Sequence, residues 1–362
     1  MSLLPLARAP LPALLLVLLL GCETGFREQP DASPGLDAAV DDASTDAAGQ
    51  DSGWTLVYED DKAATGESLN AIWVADKDHV FAVGDNGQAV WRESGQWISL
   101  NKSKGVDLYG IWGRSATDVY AMGRYELDKA PAVMRFSSGG WGTQGPIPGH
   151  VSALSDAWGT STQIYYTGLD GQIFQDDPVG HPADPFHLAA KTGGCPQLTD
   201  PAPVLWSIDG SGLDNILAVG DSGLAAHRDA SGWIRLCHPD TKVAYRAAYS
   251  VPGSKLFFLG ASYLGLWRWA GRSELVLKIH EDRATPGADK LYLWSVWGTS
   301  AAAIIAVGDR GTMLYFDGTG AGARALPSPT TGALFGVSGA DAKNVYICGE
   351  GNRIWRGQLP SD

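Results

Sequence analysis

Short apolar runs separated by polar turns fill the chain from residue 54 onward. In the stretch that begins LYGIWGRSATDVYAMG at Leu108, two such runs flank a polar turn, and a glycine closes the second. The runs are rich in Val, Ile, Tyr, Trp and Leu and are bounded by Gly, Asp, Ser or Asn, which is typical of antiparallel strands joined by tight turns. Beyond the N-terminus no segment shows a convincing helical period. The pattern predicts an all-β protein.

This unit occurs seven times. The copies begin at Leu69, Leu108, Leu154, Leu205, Tyr245, Leu293 and Leu334. The fifth residue of each copy, which we call the slot residue, precedes a closing glycine by eleven residues, or by ten in the third copy; Gly260 is the closing glycine of the fifth. A repeat of about 40 to 50 residues with four strands has the length of one propeller blade. We therefore predict a seven-bladed β-propeller, with the recurrent slot tryptophans packed between blades.

The two ends of the repeated region complement each other. The last copy stops after its third strand, at Arg356, whereas Trp54 to Tyr58 has the pattern of a fourth strand such as Gly95 to Leu100. An N-terminal strand that completes the last blade would close the ring and cover its open edges. Residues 54–362 are therefore predicted to form one closed propeller domain.

The N-terminus has the features of an export signal. Arg8 supplies a positive charge, and Leu11 to Leu20 is apolar but short for a membrane span, which indicates a signal peptide over residues 1–21. The next residues, Leu19-Leu20-Gly21-Cys22, resemble the bacterial lipobox, which implies cleavage before Cys22 and lipidation of its thiol. We expect a lipid-anchored protein of the bacterial cell envelope. The alternative is an ordinary secretory signal with an incidental cysteine.

Charge and composition narrow the class of partner. Residues 22–53 are rich in Asp, Ala, Ser and Gly, and such segments cannot bury enough apolar surface to fold, so we expect a disordered acidic tether. The whole chain carries a net charge of −13, which argues against nucleic acid as a partner. The seven histidines lack metal spacing and no catalytic or nucleotide-binding motif is present, so we expect no metal, no cofactor and no assigned catalytic residue.

The binding face is predicted from loops and turns. In a propeller, loops after second strands and loops after fourth strands open on the same face, and three long segments fall there: 124–131, 176–204 and 272–290. The acidic turns that follow the closing glycines open on that face too, although turn chemistry alone explains their Asp and Gly. The candidate binding residues are Asp85, Arg124, Tyr125, Asp170, Phe186, Asp221, Asp309 and Glu350.

Three cysteines follow Cys22 in a chain predicted to be exported. Cys195 and Cys237 fall past consecutive blades' outer strands on the same predicted face, so a disulfide between them is a hypothesis. Cys348 occupies a position that other copies fill with Val, Met or Leu, which indicates a buried apolar role.

The repeats resemble a family of exported bacterial propellers, common in myxobacteria, whose copies read like VWGSSxxDVYAVGxxG. IWGRSATDVYAMG in the second copy and VWGTSAAAIIAVGDRG in the sixth match best. More remotely they resemble photosystem II assembly-factor propellers. The resemblance implies the fold and an exported location, and most members have no assigned activity. We therefore expect a monomeric, non-catalytic binding module for a protein or polysaccharide of the envelope. The alternative is a glycan hydrolase or lyase that uses carboxylates at the channel mouth.

Overall fold

The strands of this protein form seven antiparallel sheets arranged as blades. The computed structural model describes residues 52–60, 66–100, 105–144, 153–176, 203–237, 242–270, 277–284, 287 and 290–361. Short 3₁₀ turns occupy Asp85–Gly87, Asp221–Gly223 and Asp309–Gly311. No helix within these ranges is long and apolar enough to cross a bilayer. The predicted seven-bladed, all-β propeller is confirmed.

The strands, numbered in chain order, are arranged within each blade from the centre of the ring outward. The innermost strands are β2 (Leu69–Val74), β6 (Val106–Ser115), β10 (Leu154–Gly159), β13 (Leu205–Gly212), β17 (Tyr245–Ser250), β21 (Leu293–Ser300) and β25 (Leu334–Asp341). The second strands are β3 (Val80–Gly84), β7 (Asp118–Tyr125), β11 (Ile164–Gly168), β14 (Asn215–Gly220), β18 (Phe257–Ala261), β22 (Ala303–Gly308) and β26 (Asn344–Gly349).

The outer half of each blade follows the same order. The third strands are β4 (Ala89–Glu93), β8 (Pro131–Ser137), β12 (Ile173–Asp176), β15 (Leu224–Asp229), β19 (Gly265–Trp269), β23 (Met313–Phe316) and β27 (Arg353–Gly357). The outermost strands are β1 (Thr55–Glu59), β5 (Gln96–Ser99), β9 (Gly140–Gln144), β16 (Gly232–Cys237), β20 (Leu277–His280) and β24 (Arg324–Ala325). Within the described residues the third blade has three strands.

The ring closes as the sequence predicted. Strand β1 pairs with β27, with Thr55 opposite Arg356, so the N-terminal strand completes the seventh blade. Each innermost strand contacts the innermost strands of both neighbouring blades, and β25 contacts β2. Apolar clusters fill the space between adjacent blades. The core is therefore distributed around the ring, and every blade depends on its neighbours for burial.

The slot tryptophans pack against glycines of the next blade. A Cβ atom placed on Gly113 would lie 2.6 Å from the Trp73 ring, and one placed on Gly339 would lie 2.6 Å from the Trp297 ring. Real Cβ atoms do not approach other atoms so closely, because close-packed interiors leave no spare volume. The sixth residue of a copy is therefore glycine where the slot residue of the preceding blade is tryptophan.

Where the sixth residue has a side chain, the preceding slot residue is small and polar. Asp209 accepts a hydrogen bond from the backbone N–H of Ser250 at 2.7 Å. Ser338 accepts one from the N–H of Val74 at 3.2 Å across the closure of the ring. Slot and sixth residues thus complement each other between blades, and this rule holds in all seven copies.

The third residue of a copy, where it is polar, also links the innermost strands of adjacent blades. Ser295 accepts a hydrogen bond from the N–H of Val337 at 3.1 Å, and Asp156 accepts one from the N–H of Ile208 at 3.1 Å. Innermost strands of adjacent blades belong to different sheets, so these N–H groups need other partners. The side chains provide them and hold the blades in register.

The closing glycines have a steric cause, and the fifth copy departs from the predicted spacing. Gly84 pairs with Leu69, and a Cβ atom there would lie 1.9 Å from the carbonyl oxygen of Ser68. In the fifth blade, Ala261 takes the equivalent place opposite Tyr245, and Gly260 pairs one position earlier. The prediction of Gly260 as a closing glycine was therefore wrong, because the turn before β18 contains one more residue.

The structure describes the side chain of Cys348 but not those of the two cysteines in the predicted disulfide. Cys348 is fully buried and belongs to an apolar cluster between blades seven and one. Cys195 lies outside the described residues, and Cys237 is the last residue of β16 with a side chain that is not described. The disulfide between them stays a prediction, as do the signal peptide and the tether.

Candidate binding site at the mouth of the axial channel

The seven innermost strands surround an axial channel with a volume of about 350 Å³. Its lining combines aromatic side chains, serines, one arginine and the carboxylates of Asp156 and Asp209. The strands are antiparallel to their neighbours within each blade but run in the same sense around the axis. Equivalent residues of all seven copies therefore meet at the same depth.

The second residue of each copy lies at one mouth of this channel. These residues are Asn70, Tyr109, Ser155, Trp206, Arg246, Trp294 and Phe335. Blades four to seven thus place three large aromatic side chains and an arginine on one half of the mouth. The other half is smaller and more polar, which makes the mouth strongly asymmetric despite the sevenfold repeat.

Acidic turns orient these side chains. The aspartates Asp85, Asp221 and Asp309 each begin a 3₁₀ turn after a second strand. Asp309 accepts hydrogen bonds from the backbone N–H of Tyr292 and from Nε1 of Trp294, both at 2.7 Å. Asp221 accepts one from Nε1 of Trp206 at 3.0 Å. Because the indole N–H groups are held by carboxylates, the rings keep fixed orientations at the mouth.

Arg246 is stacked between two aromatic rings. Its guanidinium carbon lies 4.4 Å from the ring centroid of Trp206 and 4.4 Å from that of Tyr292. Its Nη1 lies 2.5 Å from a carboxylate oxygen of Asp221, and the side chain is 8% exposed. Tyr292 also packs on Trp294 with ring centroids 5.1 Å apart. This arrangement combines cation–π attraction with a charge-assisted hydrogen bond.

Phe335 extends the cluster to the seventh blade, with its ring 6.0 Å from that of Trp294 in an edge-on contact. We call Trp206, Tyr292, Trp294 and Phe335, together with the Arg246 that they enclose, the aromatic rim. The rings are linked to one another and to the turn aspartates, so the rim is rigid before any ligand arrives.

A longer hairpin rises beside the mouth. Strands β7 and β8 extend past the length of the other second and third strands, and Leu127 at the tip of their connection is 98% exposed. At its base, the guanidinium carbon of Arg124 lies 5.9 Å from the ring centroid of Tyr109, and its Nη2 lies 3.7 Å from Asp107. Leu127 therefore offers one exposed apolar side chain on this face, on the side of the mouth that the second blade forms. We call the face with the acidic turns and this hairpin the mouth face.

The structure distributes the predicted site residues unevenly. Asp221 and Asp309 lie at the mouth but act as acceptors for rim side chains, and Asp85 does the same for Asn70 at 2.8 Å. Arg124 lies beside the mouth, whereas Tyr125 packs onto the core between blades one and two.

The remaining predicted residues lie further from the rim. Asp170 is half-buried in its turn, and Glu350 is exposed on the seventh blade. Phe186 and most of the segment 176–204 lie outside the described residues. Within 272–290, which was predicted as a loop, Leu277–His280 form the outer strand β20, so the loop is shorter than predicted. A role in binding stays a prediction for each of these residues.

Two carboxylates lie deeper in the channel, on the third and fourth blades. Enclosure by protein raises the pKa of Asp156 to about 7 and that of Asp209 to about 7, and hydrogen bonds from backbone N–H groups oppose the rise. Each accepts main-chain hydrogen bonds from the next blade, at Ile208 and Ser250 respectively.

The aromatic rim was not predicted from the sequence. A usable signal was present, because the second residue of each copy is the most variable place in an otherwise regular strand. Leu and the fourth-residue aliphatics repeat, whereas the second residue changes from Asn to Trp, Arg and Phe. A position that varies within an otherwise regular repeat is not constrained by packing between blades, which indicates that its side chains lie on a surface.

In the parts of the chain that the structure describes, no three His, Cys, Asp or Glu side chains are placed to hold a metal ion.

Comparison with known proteins identifies the fold. No known sequence family matches the chain, and no curated protein matches it in sequence. The structure is similar to that of YCF48 bound to a D1 peptide, with a TM-score of 0.61 and 11% identity over 86% of this chain and 96% of that chain. It is a β-propeller of the same architecture.

Two further solved propellers are similar. The WD40 propeller domain of Doa1 gives a TM-score of 0.62 at 11% identity, covering 86% of this chain and 97% of that one. YCF48 from Cyanidioschyzon merolae gives 0.60 at 14% identity, covering 84% and 99%. At these identities the likeness shows the fold alone, so the remote resemblance to assembly-factor propellers is confirmed for the fold.

Proposed function

We propose that this protein is a non-catalytic binding module that holds a protein partner on its mouth face. The observation that carries the proposal is the aromatic rim, which places four aromatic rings and an arginine at an open channel mouth. Tryptophan, tyrosine and arginine are the residues that most often dominate binding energy at protein interfaces. Here they are fixed by carboxylates, so little ordering cost accompanies binding.

The exposed hairpin supports a macromolecular partner. Leu127 projects from the same face as the rim, and a small ligand held in the channel would not reach it. A partner that covers both would bury a surface of the width that stable protein interfaces require. One propeller of similar fold was solved with a bound peptide, which is consistent with a polypeptide ligand for this architecture. A polysaccharide is the other partner class, and the experiment below distinguishes the two.

We further propose that the protein works as a lipid-anchored monomer of the bacterial cell envelope. The proposal rests on the signal-like residues 1–21, the lipobox-like Cys22 and the acidic segment 22–53. An extended, charged tether of this length would keep the propeller away from the lipid surface and leave the mouth face accessible. Strand β1 covers the edge of β27 that would otherwise be open to pairing with a second copy.

The test is site-specific photo-cross-linking in cells that express the full chain. A photoreactive residue replaces Leu127 or Glu350 on the mouth face, and Thr117 or Lys343 on the opposite face as controls. We expect the mouth-face positions to give the same discrete protein adduct and the control positions to give none. Adducts from the opposite face only, adducts with saccharide only, or no adduct at any position would overturn the proposal.

A glycan hydrolase or lyase is the second candidate function. It is favoured by the raised pKa of Asp156 and Asp209, because a carboxylic acid that stays protonated near neutral pH can act as a general acid. Against it, serines such as Ser295 form the same type of link between other blades, so a structural role explains both carboxylates. Release of reducing sugars from envelope polysaccharide, abolished by Asp156→Asn, would establish the enzyme instead.

A further inference from the structure

We propose that the aromatic rim and the channel behind it form a socket for a lysine or arginine side chain carried by the partner. This inference rests on the proposed function and names the chemistry that the mouth selects. It follows from the arrangement of aromatic faces at the entrance and of carboxylates below them, both contributed by consecutive blades.

The rim already holds one cation. Arg246 lies 4.4 Å from the ring centroids of both Trp206 and Tyr292, and 5.8 Å from that of Trp294. The rings are therefore spaced and oriented to accept a flat or compact cation against their faces. Trp294 and Phe335 also line the channel, edge-on to each other, and a second cation could stack on the face of either ring on entering.

The channel below the rim is acidic, and a cation that enters it would favour the ionised forms of its two carboxylates, whose pKa is raised to about 7. Asp156 and Asp209 line it, and Arg246 is the sole basic residue in its lining. The charge of Arg246 is offset by Asp221, 2.5 Å away. The hydrogen bonds to Asp156 and Asp209 come from neutral backbone N–H and serine groups, which leave their charge uncompensated.

A partner's cation would complete this arrangement. A lysine stem is apolar and flexible and ends in three N–H donors, so it can pass the rings and bring its ammonium to the carboxylates. An acidic or neutral side chain gains neither contact, and an acidic one meets repulsion from both aspartates. The volume of about 350 Å³ accommodates one such side chain with water.

The experiment compares four acetylated and amidated pentapeptides, identical except for a central lysine, arginine, norleucine or glutamate. Norleucine has the length and apolar stem of lysine without its charge. Binding to the full chain is measured by calorimetry and by tryptophan emission, which reports on Trp206 and Trp294. We expect the lysine and arginine peptides to bind about tenfold or more tightly than the norleucine peptide, and the glutamate peptide not to bind.

Variants locate the effect. Asp156→Asn combined with Asp209→Asn should weaken lysine-peptide binding about tenfold, and Trp294→Leu about threefold to thirtyfold, as expected for loss of a cation–π contact. Asp78→Asn, the same change on the opposite face, should leave binding unchanged. Thermal melting of each variant shows whether the ring stays folded, and the norleucine comparison needs no variant.

Equal binding of the lysine and norleucine peptides, tighter binding of the glutamate peptide, or no binding of any peptide would overturn the socket. If the peptides fail while Leu127 still cross-links to a protein partner, the binding module stands and the socket alone is wrong. If both fail, the proposed function falls with it.

Discussion

Single residues of neighbouring copies are matched to each other across the blade interfaces. Trp73 fills the space that Gly113 leaves, and Ser338 bonds the backbone of Val74 where that space is occupied. The repeat spacing predicts that slot residues recur at one depth. It does not show that each slot is paired with the sixth residue of the following copy, because that relation appears only when blades are placed side by side.

Gly113→Ala tests this match. The added methyl group would meet the Trp73 ring at 2.6 Å, so we expect a loss of about 1–3 kcal/mol in the free energy of unfolding, as for other overpacked sites. Gly140→Ala is the matched control, because no atom lies within 4 Å of a Cβ there. Urea unfolding measures both. If Gly113→Ala lowers the free energy of unfolding by the same amount when Trp73 is replaced by alanine, the packing of Trp73 on Gly113 is not its cause.

The channel carboxylates predict a pH dependence. The folded state keeps protons on Asp156 and Asp209 up to a pKa of about 7, whereas in the unfolded chain these groups release them near 3.8. The folded state therefore binds more protons between these values, and this contribution to stability falls as pH rises from about 4 to 7. His227 and His280, whose pKa is lowered by burial, contribute the opposite slope.

The double variant Asp156→Asn, Asp209→Asn isolates the carboxylate contribution, because the histidines are common to both proteins. We expect the stability of the parent relative to the variant to decrease between pH 5 and pH 7.5, measured as the difference in urea midpoints. A constant difference across this range would show that the two carboxylates titrate normally in the folded state.

At the scale of elements, the strands and their order could be predicted from the sequence because hairpin turns and apolar runs are local signals. The closure by β1 could be predicted too, because a missing outer strand at one end matched a spare strand at the other. The extra residue in the turn before β18 could not, because Gly260 stands at the expected spacing although Ala261 takes the paired place opposite Tyr245. The mouth could not be predicted in detail because its residues come from seven separate copies.

Deleting Trp54 to Tyr58 tests the closure. This removes most of β1, the pairing with β27 and the packing of the Trp54 ring on Gly357. The exposed edge of β27 would favour aggregation as well as unfolding. Deleting residues 31–49 is the control, since no described strand includes them. We expect the first deletion to lower the melting temperature far more than the second, and similar melting of the two would contradict the closure.

On the scale of the whole molecule, the sevenfold ring is the scaffold and the mouth is the part that differs between blades. The repeat makes a rigid frame from similar units, and the asymmetry of the rim and the longer hairpin of the second blade are superimposed on it. The fold was accessible to sequence analysis, whereas the partner is specified by side chains that the repeat does not constrain.

The anchor is tested by replacing one residue. Cys22→Ser removes the thiol that would carry the lipid, so the protein should move from the detergent phase to the aqueous phase on phase separation of cell extracts. The control is Cys348→Ser in a chain that keeps Cys22. Replacement of this buried side chain should affect stability but not partitioning. Continued detergent partitioning of Cys22→Ser would count against lipidation.

The central claim, that a protein partner is held at the channel mouth, is tested most directly by the affinity of the cross-linked partner for purified variants. Leu127→Asp and Trp294→Leu alter the mouth face, and Lys343→Glu alters the opposite face. The account predicts that the first two variants bind the partner about tenfold or more weakly than the parent, while Lys343→Glu binds it equally well. Unchanged affinity of both mouth variants, with loss of binding in Lys343→Glu, would contradict it.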